Sequence, residues 1–395
     1  MSSKKVSEFK SLISNSDLLA YLKSVSIYKP TPVQTKAIPK FLEGGDYSVQ
    51  GRTGSGKTLA YLLPIIKKLK ELEDRSIEDK IAHPKVVILL PTRELAIQVF
   101  SVAKEVSHFA KLRIRKLVGG DKGKSLKSLY HSKMDILVTT PDRCLRAFKN
   151  KELHSESIRY FVYDEADQLL EPSFKRTVSA IAENITNDSM QVFLMGATRP
   201  TNFEDIMLDF FPRRRFESIG QDEQNTIGHD IKTVDLFVEE DDKFIYVKGF
   251  TKKREKSNGL IFTGNKARAH HVHEVLASEK YAKNIYLLHK DLEIKDRVAV
   301  VANFKETGGI LVATDIFARG IDIDHLQWVL NFDIPSDADY YLHRSGRVGR
   351  AGRSGKVFNF ITSRDGRRQK RINETLVKQG RKDLRISEQR AKRSR

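Results

Sequence analysis

The chain has 395 residues, enough for about two domains of ordinary size. Its 70 Lys and Arg residues exceed its 51 Asp and Glu residues, and the net charge of +19 favours a nucleic acid partner over a merely basic or ribosome-associated protein. A single cysteine, Cys144, excludes an internal disulfide and a cysteine-based metal site. No stretch is apolar enough for a signal peptide or a membrane span, so we expect a soluble cytoplasmic protein without a membrane partner.

Short β-branched and aromatic runs alternate with helical segments through the first half of the chain. Each run is nearly continuous rather than alternating, which is typical of strands buried on both faces of a parallel sheet. Segments between them, such as LAYLLPIIKKLKEL, have the periodicity of a helix. We therefore predict an α/β domain over residues 1–215. The runs are VVILLPT (86–92), DILVTTP (135–141), YFVYDEAD (160–167) and QVFLMGAT (191–198).

A polar, turn-rich stretch over residues 216–228 predicts a short linker, and a second α/β domain is predicted over residues 229–363. Residues 364–395 contain 13 basic and 4 acidic residues. This basic tail either binds nucleic acid or is a solvated, disordered end. The predicted strands of the second domain are NGLIFTGN (258–265), NIYLLHK (284–290), GILVATD (309–315), WVLNFDIP (328–335) and GKVFNFIT (355–362).

The stretch GRTGSGKT fits the phosphate-loop pattern G-x-x-x-x-G-K-[ST], and it lies between a predicted strand and a predicted helix. Its glycines allow consecutive backbone N–H groups to face a phosphate, and the helix N-terminus adds a favourable field. Lys57 would reach the outer phosphates, and the Thr58 hydroxyl would bind Mg²⁺. The alternative is that a glycine-rich loop matches the pattern by chance. The pattern alone does not identify the reaction that the protein catalyses. The other residues expected to contact the nucleotide are Gly51, Arg52, Thr53, Gly54, Ser55 and Gly56.

Three acids follow an apolar run in the stretch VYDEADQ (162–168). Asp164 ends a predicted strand parallel to the one before the phosphate loop, so its carboxylate can approach the ion bound to Thr58. Glu165 would then face the water that attacks the terminal phosphate, as a general base or an orienting group. A solvated acidic turn is the alternative, but it does not explain why the acids follow a buried strand.

The phosphate loop and the DEAD stretch (164–167) together resemble the DEAD-box ATP-dependent RNA helicases of superfamily 2. Further motifs of that family occur in order over roughly residues 9–363. The resemblance implies two tandem RecA-like domains joined by a short linker, each a mainly parallel sheet flanked by helices. It also implies ATP and Mg²⁺ as cofactors, and a monomer that binds RNA through backbone contacts largely independent of sequence.

KPTPVQ (29–34) resembles the Q motif of the family, with Phe9 at the expected aromatic position 25 residues before Gln34. The resemblance implies that Gln34 reads the adenine edge and that Phe9 packs near the base, with Lys29 and Thr31 in the same nucleotide-binding motif. A glutamine amide offers the donor and acceptor that complement adenine N6 and N7. On its own, PTPVQ is an ordinary helix start with proline.

Several loops at predicted strand ends resemble the RNA-backbone motifs of the family. Such loops can bind phosphates and 2′-hydroxyls through arginine, threonine and exposed N–H groups without reading bases. Alone, PTREL (91–95) is more often a strand-to-helix turn with a capping threonine. The residues implied to bind RNA are Pro91, Thr92, Arg93, Gly119, Gly120, Thr140 and Arg143 in the first domain and Thr263, Gly264, Thr314 and Asp315 in the second.

HRSGRVGR (343–350) resembles the last motif of the family. The resemblance implies that Arg347 and Arg350 reach the γ-phosphate as arginine fingers, stabilising charge on the transferring group. It also implies that Asp322 touches the ribose. A solvated basic face is the alternative for HRSGRVGR taken alone.

The sequence departs from the family at positions that concern coupling between ATP and RNA. Where the family has a serine that hydrogen-bonds toward the second Asp of DEAD, here Asp167, this chain has Gly196. The residues assigned to coupling are Asp167, Gly196, Thr198 and His343. The other departures are Asp142 and Lys290 in place of glycine and Ile294 in place of glutamine.

We therefore predict an RNA-stimulated ATPase that locally unwinds or remodels short RNA duplexes or RNA–protein complexes. The alternative is an ATP-dependent RNA clamp or ribonucleoprotein assembly factor with weak or no unwinding, since coupling groups are missing. A small-molecule kinase with the same phosphate loop would not explain the second domain or HRSGRVGR.

Overall fold

The structure is a computed structural model. It describes residues 7–51, 54–73, 80–120, 128–185, 187, 189–197, 203–220, 231–280, 284–289, 291–315, 326–349, 354–378 and 384–387. The chain divides into two compact units, Met1–Asp222 and Glu223–Arg395, and the division falls inside the predicted linker. Within the described ranges, none of the helices is both long and apolar enough to cross a membrane.

The first unit contains a seven-stranded sheet with the order β3-β4-β2-β5-β6-β1-β7, in which all paired strands are parallel. Strands β2, β4 and β5 are buried at every residue, as their continuous apolar runs predict. The strands are β1 (Tyr47–Gln50), β2 (Val86–Leu89), β3 (Ile114–Leu117), β4 (Ile136–Thr139), β5 (Tyr160–Asp164), β6 (Gln191–Gly196) and β7 (Glu217–Ile219).

Helices cover both faces of this sheet. Alternate residues of β5 enter different cores: Val162 packs with α1–α5, whereas Phe161 and Tyr163 pack with α6–α9. This period-2 alternation is what burial on both faces requires. The helices are α1 (Ser7–Leu12), α2 (Ser16–Ser24), α3 (Pro32–Glu43), α4 (Lys57–Glu73), α5 (Arg93–Ala110), α6 (Pro141–Lys149), α7 (Ala166–Leu169), α8 (Pro172–Glu183) and α9 (Phe203–Phe210).

The edge strand β7 lies where the sequence predicts a linker, so the predicted boundary at residue 215 differs from the structure. Glu217 N–H donates to Asp46 O at 3.0 Å, and Lys40 lies 3.3 Å from the Glu217 carboxylate. The Asp46 carboxylate accepts from Val192 N–H and from the Arg214 guanidinium. These contacts hold a three-residue polar strand that is too short to show a periodicity.

The second unit contains a six-stranded parallel sheet with the order β10-β11-β9-β12-β13-β8. Helices again cover both faces. The predicted α/β class, two parallel sheets flanked by helices, is therefore confirmed. The strands are β8 (Ile231–Phe237), β9 (Gly259–Thr263), β10 (Ile285–Leu288), β11 (Ile310–Thr314), β12 (Trp328–Asn331) and β13 (Gly355–Ile361). The helices are α10 (Lys243–Lys252), α11 (Lys266–Ala277), α12 (Ile294–Thr307), α13 (Ala338–Ser345) and α14 (Gly366–Lys378).

Part of the predicted basic tail is folded against the second unit. Leu384 and Ile386 are buried in the same core as residues of α13 and α14. The Asn373 side chain holds Ile386 through two hydrogen bonds of 2.8 Å, one to the Ile386 carbonyl and one from its N–H. A few apolar residues spread among many charges give little signal in the sequence, which is why residues 364–387 read as a tail.

A buried carboxylate joins strands and loops of the first unit. Asp135 is 1% exposed and accepts from the Arg113 backbone N–H at 2.9 Å, from Arg113 Nε at 3.0 Å and from Lys85 Nζ at 3.2 Å. Burial opposes ionisation of Asp135, but the hydrogen bonds from Arg113 and the charge of Lys85 outweigh it and lower its pKa.

We expect Asp135→Ala to reduce the free energy of unfolding of the first unit by about 3 kcal/mol, because Arg113 and Lys85 would lose their buried counter-charge. Urea unfolding followed by far-UV circular dichroism measures this loss. The sole tryptophan, Trp328, is buried in the second unit, and its fluorescence transition serves as an internal control. A loss below about 1 kcal/mol would show that the network contributes little.

Candidate active site

The predicted functional motifs follow strand ends, and in each unit these ends lie at one edge of a parallel sheet. In the first unit, Gly51 follows β1, Asp164 ends β5 and Gly196 ends β6. Parallel strands place their carboxyl ends on the same side, where open α/β sheets bind ligands. Strand β6 lies between β1 and β5 in the sheet.

The phosphate loop leads from β1 into helix α4, which begins at Lys57. Gly54 and Gly56 have φ values of 80° and 87°, in the left-handed region that favours glycine. Lys57 Nζ donates to Gly51 O at 2.5 Å, and the buried Ser55 Oγ has no hydrogen-bond partner among the described residues. The loop thus presents a lysine and an unused hydroxyl at a helix N-terminus. The predicted contact residues Arg52 and Thr53 lie outside the described residues.

The Q motif is hydrogen-bonded to the phosphate loop. Gln34 Oε1 accepts from Thr31 N–H at 2.9 Å, and Thr31 Oγ1 accepts from Gln34 N–H at 3.3 Å, forming a capping box at the start of α3. Gln34 Nε2 donates to Gly56 O at 3.1 Å. Each amide atom retains one more hydrogen-bonding position for a base.

Two residues predicted to lie near the base have other contacts. Phe9 is 1% exposed and packs in the core of the first unit. Lys29 is exposed and lies 3.7 Å from Glu8. The aromatic residue of the Q motif therefore anchors α1 to the core in this structure.

Asp164 is 4% exposed at the end of β5. Its carboxylate accepts from the Tyr61 hydroxyl at 2.9 Å and from Glu165 N–H at 3.0 Å. Burial raises the pKa of Asp164, although the charge of Lys57 and these two hydrogen bonds act in the opposite direction. A divalent cation at this carboxylate would favour the ionised form, and a carboxylate with a threonine hydroxyl is a donor set that suits a hard cation. The sequence did not single out Tyr61, an aromatic residue within an apolar helix.

Glu165 has an unusual backbone conformation. Its φ of 53° and ψ of 49° are left-handed, and it directly precedes α7. A non-glycine residue in this region carries a conformational cost and is enriched at functional sites. The turn breaks the strand direction immediately after Asp164, so adjacent acids face different surroundings. Nothing in the residue types predicts this conformation.

One peptide group connects the phosphate loop to Asp167. The carbonyl of Gly196 accepts from Gly51 N–H at 3.0 Å, and the N–H of Ala197, in the same peptide group, donates to Asp167 Oδ2 at 3.1 Å. A peptide group is planar, so the two hydrogen bonds are tied to one rigid unit. Asp167 therefore has a backbone partner where the family serine is missing. Thr198 lies outside the described residues.

Two of the predicted RNA-binding loops of the first unit are in contact through a hydrogen bond. Thr92 caps α5 by accepting from Leu95 N–H at 3.3 Å, the ordinary role of a threonine after Pro91. Arg93 donates to Gly119 O, and a Cβ at Gly120 would collide with the Arg93 guanidinium. Arg93 thus positions the glycine pair.

Helix α6 forms one wall of an open groove of about 490 Å³. Thr140 is its N-cap residue and its side chain makes no capping hydrogen bond. The unexpected acid Asp142 is exposed on the groove together with three cations, which leaves the groove basic. The lining residues are Asp142, Arg143, Leu145, Arg146, Lys149 and Asn150.

In the second unit, Thr263 and Gly264 end β9 beside Asp333. Asp333 Oδ2 accepts from Gly264 N–H at 2.8 Å, and Asp333 Oδ1 accepts from Lys243 Nζ at 3.1 Å and lies 2.8 Å from the Arg268 guanidinium. Asp333 and its two cations therefore orient this loop. The sequence signal for Asp333 is an acid two residues beyond the buried strand β12, similar to the acid at the end of an apolar run that identified Asp164.

Asp315 follows β11 and is held by a residue that the sequence did not single out. Both of its carboxylate oxygens accept from Arg344, at 2.5 and 2.7 Å, and Arg344 is 2% exposed. This bidentate pair makes Asp315 a partner of the HRSGRVGR segment, in addition to the RNA contact that was predicted. Thr314 and His343 are half-buried, and Arg347 is buried. Asp322 and Arg350 lie outside the described residues.

A hydrogen bond joins His289, directly after β10, to His270 on α11. His289 Nδ1 accepts from Asp291 N–H at 3.3 Å, so its Nε2 carries the hydrogen and donates to His270 Nε2 at 3.0 Å. Burial, followed by the charges of His270 and Lys266, lowers the pKa of His289, and Asp291 opposes the shift. The hydrogen bond between the rings requires an unprotonated Nε2 on His270, and the hydrogen bond from Asp291 N–H requires an unprotonated Nδ1 on His289.

We expect acid to destabilise the second unit through this pair. Because the folded-state pKa is lowered, the stabilisation is complete above the unfolded-state pKa near ~6.5 and is lost as the pH falls from there through the folded-state pKa. His270→Gln should reduce this dependence without abolishing it, since burial, the largest cause of the lowered His289 pKa, remains and only the charge of His270 is removed. His273→Gln on the same helix should leave the dependence unchanged. Urea unfolding monitored by Trp328 fluorescence between pH 8 and pH 5 provides the comparison, and equal slopes in both variants would contradict it.

Two α/β units with parallel sheets, the first with a phosphate loop beside an acidic strand end, define a phosphate-loop nucleotide-binding protein. A model of the DEAD/DEAH box helicase family matches residues 31–206, and a model of the helicase conserved C-terminal domain matches residues 242–352. The chain therefore belongs to the DEAD-box helicase family.

Individual relatives are similar over nearly the whole chain. The ATP-dependent RNA helicase SrmB of Haemophilus influenzae is 31% identical over 363 residues, covering 91% of this chain and 81% of that protein. The probable ATP-dependent RNA helicase YfmL of Bacillus subtilis is 32% identical over 335 residues, covering 85% of each. The structure of S. cerevisiae Dbp5 bound to RNA and ADP BeF3 is similar with a TM-score of 0.80 at 25% identity, covering 95% of this chain and 94% of that one.

Proposed function

We propose that the chain is an ATP-dependent RNA helicase that hydrolyses ATP when RNA is bound and locally separates short duplexes. The observation that carries this proposal is the peptide group of Gly196 and Ala197, which joins the phosphate loop to the DEAD stretch at one sheet edge. ATP-dependent RNA helicase activity is stated for SrmB, to which the chain is similar over most of both lengths.

The phosphate chemistry follows from groups at the edge of the first sheet. Loop N–H groups and Lys57 would bind the phosphates, and Glu165 would orient the attacking water. Asp164 and Thr58 would hold Mg²⁺, which neutralises charge on the phosphate oxygens when bound. Arg347 and Arg350 would stabilise charge on the terminal phosphoryl group.

RNA would bind through its backbone. Arg93 and the basic groove along α6 offer positive charge without an arrangement that selects a base. We therefore propose binding that depends little on sequence.

Unwinding is favoured over a passive clamp by the partner of Asp167. The clamp alternative rests on Gly196 and Ile294, since a missing hydroxyl would disconnect Asp167 from the ATP site. The Ala197 N–H supplies a donor that no side-chain change at position 196 removes.

We expect the purified chain to hydrolyse ATP faster with RNA and to displace a short duplex. Glu165→Gln should lower kcat by at least about 100-fold and still bind ATP, because it removes a base without removing the phosphate contacts. Hydrolysis that RNA stimulates without displacement would support the clamp, and an unchanged rate in Glu165→Gln would remove Glu165 from its role.

Variants at the coupling acid test the same proposal further. Asp167→Ala should reduce displacement per ATP hydrolysed by about tenfold, and Gly196→Ser should leave displacement close to that of the parent. If Gly196→Ser instead creates displacement that the parent lacks, the serine hydroxyl is required and the parent is a clamp.

The folded part of the C-terminal region offers a further basic surface. Helix α14 buries Ile372 and Leu376 and exposes Arg367, Arg368 and Arg371. Arg371 lies four residues after Arg367 and three after Arg368, so both are its neighbours on the helix surface, where like charges attract a polyanion. We propose that this surface adds sequence-independent RNA affinity.

Replacing Arg367, Arg368 and Arg371 with alanine should make the slope of log affinity against log salt less negative by about 2, since each phosphate contact to single-stranded RNA contributes about 0.7. Fluorescence anisotropy with labelled RNA at several salt concentrations measures the slope. A control triple alanine variant at the exposed Lys252, Lys253 and Lys256 should keep the parent slope. Equal slopes in both variants would overturn the assignment.

Mg²⁺ as the ion, the monomeric state and the cytoplasmic location stay predictions.

A further inference from the structure

A row of polar side chains crosses the second sheet at one level. Asn331 on β12 is the register partner of Asn359 on β13, which is the register partner of Asp235 on β8. Both asparagines are fully buried. Buried amides on two adjacent strands require hydrogen-bond partners, which the row itself supplies.

Hydrogen bonds run along the row in one direction. Asn331 Nδ2 donates to Asn359 Oδ1 at 2.7 Å, and Asn359 Nδ2 donates to Asp235 Oδ1 at 2.7 Å. Each amide has one accepting and one donating end, so reversing one asparagine would set donor against donor or acceptor against acceptor. The row therefore has one favourable orientation, and its members depend on one another.

The first end of the row is Arg344. Its guanidinium donates to Asn331 Oδ1 at 2.8 Å, to Asp333 O at 2.6 Å and to both oxygens of Asp315. The same group lies 4.9 Å from the centre of the Phe262 ring. Arg344 belongs to the last turn of α13, directly after His343, and its carbonyl accepts from Arg347 N–H at 3.2 Å. A change in the position of Arg344 would therefore also move its carbonyl, which accepts from Arg347 in the GRVGR segment.

The other end of the row is the C-terminal segment of residues 384–387. Asp235 Oδ2 accepts from Ser387 N–H at 2.5 Å. Burial of Leu384 and Ile386 and the two hydrogen bonds between the Asn373 side chain and the Ile386 backbone hold the segment in place. Six residues, Asp315, Arg344, Asn331, Asn359, Asp235 and Ser387, are therefore joined in one chain of hydrogen bonds.

We propose that residues 384–387 are a positioning segment for the reaction: through Asp235 and the asparagine row they set the orientation of Arg344, and with it the segment that carries His343 and Arg347. The functional part of this inference rests on the proposed ATPase and helicase activity. Loss of the Ser387 N–H leaves a carboxylate oxygen of Asp235 without its donor. The Asp235 side chain can then rotate, which weakens its hold on Asn359 and, through Asn331, on Arg344.

Ser387→Pro removes this N–H donor, since proline has none, and it also restricts the local backbone. Ser387→Ala is the control that removes the hydroxyl and keeps the N–H. Asp235→Asn tests the same link from the other side, because it turns one acceptor oxygen into a donor that faces an N–H group. Trp328 fluorescence shows whether each variant is folded at the assay temperature.

Amide hydrogen exchange over residues 338–349 of the full chain tests the physical link without reference to catalysis. Ser387→Pro and Asp235→Asn should raise the exchange rate there by about tenfold, and Ser387→Ala should not. Unchanged exchange in both variants would overturn the link, whether or not the chain is a helicase.

ATP hydrolysis tests the consequence for function. If the segment positions Arg344, Ser387→Pro should lower the ratio of RNA-stimulated to RNA-independent rates by about threefold to tenfold and raise the RNA concentration at half-stimulation. A merely structural role would reduce the active fraction, leaving that ratio and the KM for ATP unchanged, and this result would overturn the positioning role. A parent chain with no RNA-stimulated hydrolysis would refute the proposed function, and the exchange measurement would still decide the link.

Discussion

Parallel strand direction is the constraint on which the placement of the phosphate loop and the strand-end acids depends. Within each sheet the paired strands are parallel, so in the first unit their carboxyl ends collect the phosphate loop and the DEAD stretch. In the other unit they collect the Gly264 loop and Asp315. A side chain needs only to follow a buried strand to reach such an edge. The chemistry therefore tolerates wide variation in the helices that cover the faces.

Position at the edge is not sufficient, because each carboxylate there must also be oriented. Asp164, Asp167 and Asp333 each accept from a backbone N–H group, and Asp315 accepts from a buried arginine. Buried carboxylates without donors would be costly, so these contacts both stabilise the edge and hold the acids in place.

Motifs whose chemistry depends on adjacent residues could be predicted from the sequence, as could the two α/β units. The phosphate loop and Asp164 are of this kind, since glycine spacing and an acid after an apolar run are local signals. Strand β7 and the contacts of Arg344 could not be predicted from the sequence, because their partners are distant along the chain. The same holds for residues 384–387, where Leu384 and Ile386 are too few to reveal a folded segment among basic residues. The left-handed backbone at Glu165 is a tertiary effect on a residue with no preference for it.

Gly196 shows how a missing side chain can leave a connection intact. A serine there would add one hydroxyl contact to Asp167, whereas the peptide group joins Asp167 to Gly51 by backbone alone. Rotating that planar group would break both hydrogen bonds at once, so a change at the phosphate loop reaches Asp167 through one rigid unit. Because strand pairing of β6 with β1 already holds Gly196 against Gln50, this connection is maintained by the sheet itself. This backbone connection is thus compatible with any side chain at position 196 that fits the strand end.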